Sequence, residues 1–434
     1  MTFKASWWRK MIETVMPEAQ TQSETITACR SCGSTHLVPI LDLGTTPLAD
    51  RLISPERSDE PEPTFPLQVA VCEQCSLVQI TETVAPEVLF ADAYPYYSSF
   101  SPALLKHSRE NVMARLAERE LDESSLVVEL ASNDGYLLKN YVEHGIPVLG
   151  IDPADGPAEA ARKIGVPTLC DFFSEELAGQ LAAEGKTADI IHGNNVLAHV
   201  ADTNGFVSGI AKLLKPNGLV VIEAPYLKPL IEHVEFDTIY HEHLCYFSVT
   251  ALDHLFKRHG LYLNHIEHLS IHGGSLRLFV EHIENPQDSV KAALADEASI
   301  GMTGSGYFDD FADRVSTLKA ELLRMIKELK ASGKSIAAYG AAAKGATLLN
   351  YCGLTTEELD FVVDRNVHKQ GQLMPGARLP VRAPEALITE QPDYVLMLAW
   401  NFADEILEQQ AEYRRNGGRF IIPVPTPKII QPED

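Results

Sequence analysis

Four of the seven cysteines fall as two C-x2-C pairs, Cys29/Cys32 and Cys72/Cys75. Each such turn aims two sulfurs at one point, and two turns complete the four-thiolate tetrahedron that zinc prefers. A closed tetrahedron has no open position for a reactant, so the expected metal is structural. It would also supply folding free energy to a segment, roughly 29–80, that reads as poor in apolar residues. The odd, uneven cysteine set does not suit a disulfide framework, and Cys170, Cys245 and Cys352 read as packing residues. A second cluster is Tyr240-His241-Glu242-His243, with Tyr246 and Phe247 behind it. It lacks the i, i+4 histidine pair of a zinc-protease helix. In extended chain Glu242 faces away from both histidines, and a helical turn separates them too. The cluster therefore reads as acid–base chemistry, since imidazole takes up a proton near neutral pH.

A third group consists of polar residues that follow apolar runs. Glu129-Leu-Ala131-Ser-Asn133-Asp-Gly135 comes first and resembles the first motif of S-adenosylmethionine methyltransferases, an acid followed by a small-residue turn. Within it only Gly135 offers close backbone approach. Asp152, about 20 residues on, is placed to bond a ribose diol, and Asp171-Phe172 supplies an acid and a ring for adenine. Asn194-Asn195 and His199 would line the same cleft. Farther along, His272-Gly-Gly-Ser-Leu-Arg277 joins two glycines, a hydroxyl and a guanidinium at a tight turn. Gly340-Ala-Ala-Ala-Lys344-Gly345 is no Walker loop, yet its amides and lysine suit a pyrophosphate at a helix N-terminus, with Asn366 and Lys369 on the same rim.

The elements that position these residues follow from the pattern. SLVVEL (125–130), PVLGID (147–152), VPTLCD (166–171), ADIIHG (188–193) and GLVVIE (218–223) alternate with helix-like stretches at 157–164 and 204–215. This is the rhythm of βαβ units and a parallel sheet, which binds ligands beyond the carboxyl ends of its strands. Residues 261–268 and 275–282 read as a closing antiparallel pair. A second alternation, with strands expected at 335–339, 359–364, 393–400 and 419–423, gives a smaller α/β unit. The expected architecture is α/β. An extension (1–28) precedes a zinc-binding domain (29–85) and a Rossmann-like methyltransferase domain with a helical lead-in (86–285). A helical connector (286–330) then leads to a second, smaller Rossmann-like domain (331–434).

Composition narrows the function. Lys+Arg number 36 against 60 Asp+Glu, a formal charge of −24. That argues against a sequence-independent grip on nucleic acid, where phosphate neutralisation supplies the affinity. No apolar run approaches a membrane span, and residues 1–16 lack the unbroken apolar stretch of a secretory signal, so a cytoplasmic chain is expected. Oligomeric state is not legible.

Taken together, the paired knuckles, ELASNDGYLL, NNVLAHV, YHEHLCYFS, HGGSLR and YGAAAKG resemble the three-domain deoxysugar C-methyltransferases, over about residues 29–424. The resemblance implies a structural zinc, S-adenosylmethionine in the middle domain and a nucleotide-linked sugar held with help from the C-terminal domain. It implies removal of a proton alpha to a 4-keto group and methylation of the resulting carbanion. It assigns proton abstraction to His243, support to Tyr240 and Glu242, and an active-site place to His199. One tyrosine from the zinc side belongs there too, with Tyr94 preferred over Tyr96 and Tyr97. Three other readings stand beside it. O- or N-methylation of a small metabolite shares the cofactor. An NAD-dependent nucleotide-sugar oxidoreductase shares the fold but lacks its G-x-G-x-x-G. A zinc-knuckle interaction protein would make the YHEH cluster idle. Which carbon, nucleotide and pathway are served is not written in the sequence.

Overall fold

The computed structural model describes residues 22–89, 97–269 and 273–432. Two expected substrate contacts, Tyr94 and His272, and most of the extension lie outside the described residues. Strands are numbered along the chain. β1 (Ser23–Thr25) pairs with β5 (Glu82–Val84), while β2 (Leu37–Pro47), β3 (Thr64–Cys72) and β4 (Val78–Ile80) form an antiparallel meander. This segment was expected to lack a core, and that expectation is corrected. Leu41, Leu43, Leu67, Val69, Val71, Val78 and Ile80 are all buried. In a sheet with one face packed, every second residue is enough to build a core. At roughly 1.5–3 kcal/mol for each fully buried aliphatic side chain, the meander is not held by metal alone.

The middle sheet has parallel strands β6 (Val127–Leu130), β7 (Val148–Ile151), β8 (Thr168–Leu169), β9 (Ala188–Asn194) and β10 (Leu214–Pro225). Its continuous apolar runs, such as the buried Leu219-Val-Val-Ile222, are what a sheet covered on both faces requires. β11 (Cys245–Tyr246) leaves this sheet and pairs antiparallel with β4, becoming the edge of the meander. β12 (Tyr262–Leu269) and β13 (Ser275–Glu281) return antiparallel, giving the order β12-β13-β10-β9-β6-β7-β8. The order reverses between β6 and β9, the switch point where such sheets bind ligands.

The connector helices Asp288–Ser299 and Phe311–Ala331 come next. Glu297 fastens the first of them to the middle domain: its buried carboxylate accepts from the amides of Val249 and Thr250 (2.7 and 2.8 Å) and from Tyr226 Oη (2.9 Å). Those amides open the helix Val249–Arg258 and would otherwise lack partners. The last sheet has β14 (Ile336–Tyr339), β15 (Val362–Val363), β16 (Val381–Arg382), β17 (Tyr394–Met397), β18 (Arg419–Ile422) and the antiparallel β19 (Lys428–Ile430). Its order, β16-β15-β14-β17-β18-β19, reverses between β14 and β17.

One continuous set of buried apolar side chains runs from the knuckles through both α/β sheets. Cys245 and Cys352 are buried, as packing residues are. Cys170 is not: it is exposed just after the two-residue β8, its thiol donating to Asp155 Oδ1 (3.0 Å). No described helix is long and apolar enough to cross a membrane.

Candidate functional site

The knuckles do converge. The Sγ atoms of Cys29, Cys32, Cys72 and Cys75 lie within 4.8 Å of one another, with Cys29–Cys75 at 3.6 Å and Cys32–Cys72 at 3.5 Å. Zinc–sulfur bonds of about 2.3 Å in a tetrahedron place sulfurs about 3.8 Å apart, so the donor set fits zinc. The positions follow from the fold: Cys72 ends β3, Cys75 sits in the turn into β4, and the first knuckle precedes β2. The Cys29 thiol is held down to about 4, chiefly by the hydrogen bond from Cys75. Gln79, fully buried on β4, donates Nε2–H to Cys29 Sγ (3.2 Å).

At the carboxyl edge of the middle sheet, the turn after β6 passes through positive φ at Ala131 (55°), Asn133 (49°) and Gly135 (76°). A Cβ at Gly135 would meet Val166 Cγ2 at 3.0 Å and Ala161 Cβ at 3.2 Å, so this glycine answers to backbone conformation and internal packing. Asp152 Oδ2 accepts from the Asn133 amide (2.8 Å) and its Oδ1 from the Ala154 amide (2.9 Å), tying two strand ends together. Burial raises the Asp152 carboxyl. Glu129 is buried completely and neither oxygen has a hydrogen-bond partner; burial and then Asp152 push its pKa well up. Ser132 Oγ, Asp134 Oδ1 and both side-chain polar atoms of Asn194 are also buried without partners.

Buried polar groups are normally satisfied, so a cluster of orphans at a switch point marks a place for a polar ligand. These groups suit S-adenosylmethionine. Carboxylates would face its ammonium, and Asn194 its carboxylate. Asn195, at φ 52°, is held by its amide on Glu223 O (2.7 Å). Phe172 stands 57% exposed beside Asp171, open to an adenine face.

The acid–base cluster lies where the middle domain meets the zinc meander. His243 Nδ1 is 3.0 Å from the carbonyl oxygen of Thr238, and Nε2 is 2.8 Å from Tyr240 Oη. A carbonyl only accepts, so Nδ1 carries the hydrogen and the Nε2 lone pair faces the Tyr240 hydroxyl. The His243 ring packs on Tyr240 (centroids 4.1 Å) and edge-on against His199 (4.7 Å, 74°). His199 keeps an exposed surface, and its pKa is lowered, with desolvation the first cause. Glu242 is pushed up to about 8, by burial first and the charge of Asp50 second, and its Oε2 has no partner. The shift favours its protonated form near neutral pH. His241 turns the other way: its Nε2 donates to Pro66 O (3.1 Å) and its ring meets Phe65. A cavity beside His243 is walled by Ala198, Pro225, Tyr226, Leu230 and Tyr246.

The candidate substrate residues are spread more widely. Arg277 is committed to Glu223 and Glu267 (both 2.8 Å), with His107 bonded to the same Glu223 carboxylate (2.9 Å). Lys344 Nζ is buried over the Trp400 ring (4.2 Å) with no hydrogen-bond acceptor. The Trp400 indole donates to Asp237 Oδ2 (2.6 Å). Burial raises Glu235 to about 7 and raises Asp237, while Lys344 pulls both down. Lys344 therefore sits at the seam between the two α/β domains. The Ala341 amide at the mouth of the expected phosphate loop is bonded to Asp364 Oδ2 (2.7 Å), and Lys369 Nζ caps Ala341 O (2.6 Å). The Asn366 side chain accepts from the His368 amide (2.9 Å).

Sequence reasoning missed the Thr238 carbonyl, Asp50, Gln79 and the Asp237–Trp400 bond. Each is distant in sequence from its partner or acts through backbone, so no local pattern signals it.

Comparison with known proteins gives three matches along the chain. Residues 29–90 match the family model described as "Putative zinc binding domain", 105–266 "Methyltransferase domain" and 270–425 "C-methyltransferase C-terminal domain". The C-methyltransferase NovU of Streptomyces niveus is 37% identical over 413 residues, 94% of this chain and 98% of that protein. The ubiquinone biosynthesis O-methyltransferase of Rhizobium etli (strain CIAT 652) is 30% identical over 131 residues, 28% of this chain and 52% of that protein. Among solved structures, the PH0226 protein of Pyrococcus horikoshii is 16% identical with a TM-score of 0.35, covering 45% of this chain and 96% of that one.

Proposed function

Since this chain belongs to the S-adenosylmethionine-dependent C-methyltransferases that carry an N-terminal zinc-binding domain, we propose that it methylates a carbon alpha to the 4-keto group of a nucleotide-linked deoxysugar. The observation that carries this reading is the Thr238–His243–Tyr240 chain: with Nδ1–H on the Thr238 carbonyl, the unprotonated imidazole presents Nε2 as its basic nitrogen. His243 Nε2 takes the alpha proton. The Tyr240 hydroxyl turns from Nε2 to the ketone oxygen, where negative charge develops. Glu242, whose carboxyl burial pushes up to about 8, donates a second hydrogen bond to the same region in its protonated form. Preorganised donors at a developing oxyanion are each worth roughly 3–4 kcal/mol in a water-poor site. S-adenosylmethionine, when bound, supplies the activated methyl group. Glu129, Ala131, Asn133, Gly135, Asp152, Asp171, Phe172, Asn194 and Asn195 would hold it and fix its place in the cleft. The nucleotide end is held from the C-terminal domain, with Lys344, Asn366 and Lys369 on that side. Zinc on the four cysteines has no open position and takes no part in the chemistry.

The test incubates the protein with S-adenosylmethionine and a panel of nucleotide-linked 4-keto-6-deoxy sugars, read by mass spectrometry. A gain of about one methyl group (~14 Da), with the new methyl on carbon, is expected. A methyl on oxygen or nitrogen contradicts it.

A further inference from the structure

We propose that Gln79 is a positioning residue that ties the zinc centre to the base-bearing segment 240–247. The segment hangs on the zinc meander from both ends. Before His243, His241 bonds Pro66 O on β3 (3.1 Å). After it, the Ile80 amide donates to Leu244 O (3.1 Å), and β11 pairs with β4 so that Cys245 lies opposite Gln79. Gln79 is fully buried, and its side chain runs to the metal site. Nε2 donates to Cys29 Sγ (3.2 Å), while Oε1 accepts from the Arg30 amide (3.0 Å) and from Arg30 Nη1 (3.4 Å). Arg30, adjoining Cys29, extends the clamp along the same rail, to Ile80 O (2.5 Å) and Thr83 Oγ1 (2.6 Å).

One amide thus reads the state of a zinc thiolate on one side and sets the register of β4 on the other. A ligating thiolate wants a hydrogen-bond donor, and partners of this kind typically change metal affinity 10–100-fold. With zinc bound, Cys29 is anionic and fixed, Gln79 is fixed by it, and β4 presents a rigid edge to β11. The imidazole two residues before Cys245 inherits that rigidity, as a base must when a 1 Å error is costly. The zinc centre is in this sense structural for the base, and its influence reaches the chemistry through backbone pairing.

The proposal rests on reading His243 as the base, but its test uses no sugar substrate, so either can fail alone. In the zinc-loaded full-length protein, Gln79→Met keeps the volume and removes the donor. Zinc release to a chromogenic chelator should quicken about 10-fold or more. Backbone amides of 243–247 should exchange with solvent deuterium about 10-fold faster. The Cε1–H resonance of His243 should shift, with S-adenosylmethionine affinity unchanged within about twofold. Ile80→Val, on the same strand, trims packing but leaves the Gln79–Cys29 bond, and should leave the His243 resonance in place. Three results would overturn the proposal. Zinc release could quicken while 243–247 and the His243 resonance stay as in wild type. Deuterium exchange could rise equally in β6 and β7, making zinc a clip on the whole fold. Or Ile80→Val could move the His243 resonance as far as Gln79→Met does.

Discussion

Replacing Glu242 with Gln separates a neutral hydrogen-bond donor from a buried charge. The side chain is partly buried, and burial first and the charge of Asp50 second push its pKa from the ordinary 4.5 to about 8. A group whose folded pKa lies above its unfolded value gives stability that is complete below the unfolded pKa and is lost as pH rises to the folded one. Here the window runs from about 4.5 to about 8. At 1.36 kcal/mol per unit, a rise of roughly 3.5 units sets an upper limit of about 5 kcal/mol, reduced by whatever water or relaxation reaches the site. Wild type should therefore lose stability across that window, by up to this amount more than Glu242→Gln does. Turnover should report the same group. Gln keeps a neutral donor, so Glu242→Gln should stay within about tenfold of wild type at pH 7. Wild type should lose activity above about pH 8 through a group that the variant lacks. Urea denaturation at pH 5, 7 and 9, beside a kcat/KM–pH profile of both proteins, measures this. Parallel stability curves, or a Glu242→Gln enzyme about a thousandfold slower at pH 7, would refute the reasoning.

Purified protein should carry about one zinc per chain, and Cys72→Ser should lose it together with solubility, by elemental analysis and light scattering; a folded, active, zinc-free protein contradicts this. Asn194→Ala should weaken S-adenosylmethionine about 10-fold in calorimetric titration while leaving thermal stability close to wild type, because its polar atoms have no partner within the protein to lose. Lys344→Ala should weaken nucleotide-sugar binding with S-adenosylmethionine affinity intact; equal loss of both would mean that Lys344 holds the two domains together and does not bind the sugar.

Much of the architecture is legible in the sequence because it is local. The C-x2-C pairs are each one turn, the strand-end acids follow unbroken apolar runs, and the β12–β13 pair is announced by its own turn. Where the strands are only two or three residues long, as in β16 and β19, no periodicity exists to read. The zinc segment is misread because its apolar residues are broken up by Pro, Ser and acids, and only the pairing of β2, β3 and β4 gathers them into a core. Cys170 is misread as a packing residue because a two-residue strand does not fix the burial of the residue beyond it. The site itself is half legible. YHEH is contiguous, but an extended reading puts His241 and His243 on one face, and it is a turn at 241–242 that sends them apart. Its environment is not contiguous. Asp50 beside Glu242, Pro66 under His241 and Gln79 opposite Cys245 all come from the first hundred residues, and only β11 joining β4 brings them there. Lys344 reads as a phosphate ligand from its glycine-flanked loop; its burial over Trp400 depends on how two domains pack.

The most direct test of the central claim removes methyl transfer and watches the proton alone. The protein is mixed in deuterium oxide with a nucleotide-linked 4-keto-6-deoxy sugar and S-adenosylhomocysteine, and the carbon next to the ketone is followed by NMR. Wild type should wash deuterium into that position. His243→Ala should slow it by about 10²–10⁴-fold, the usual contribution of a positioned base, with both ligands still bound. His241→Ala should stay close to wild type. If exchange survives His243→Ala but disappears in Tyr240→Phe or His199→Ala, the proton goes elsewhere and the assignment of His243 as the base is wrong.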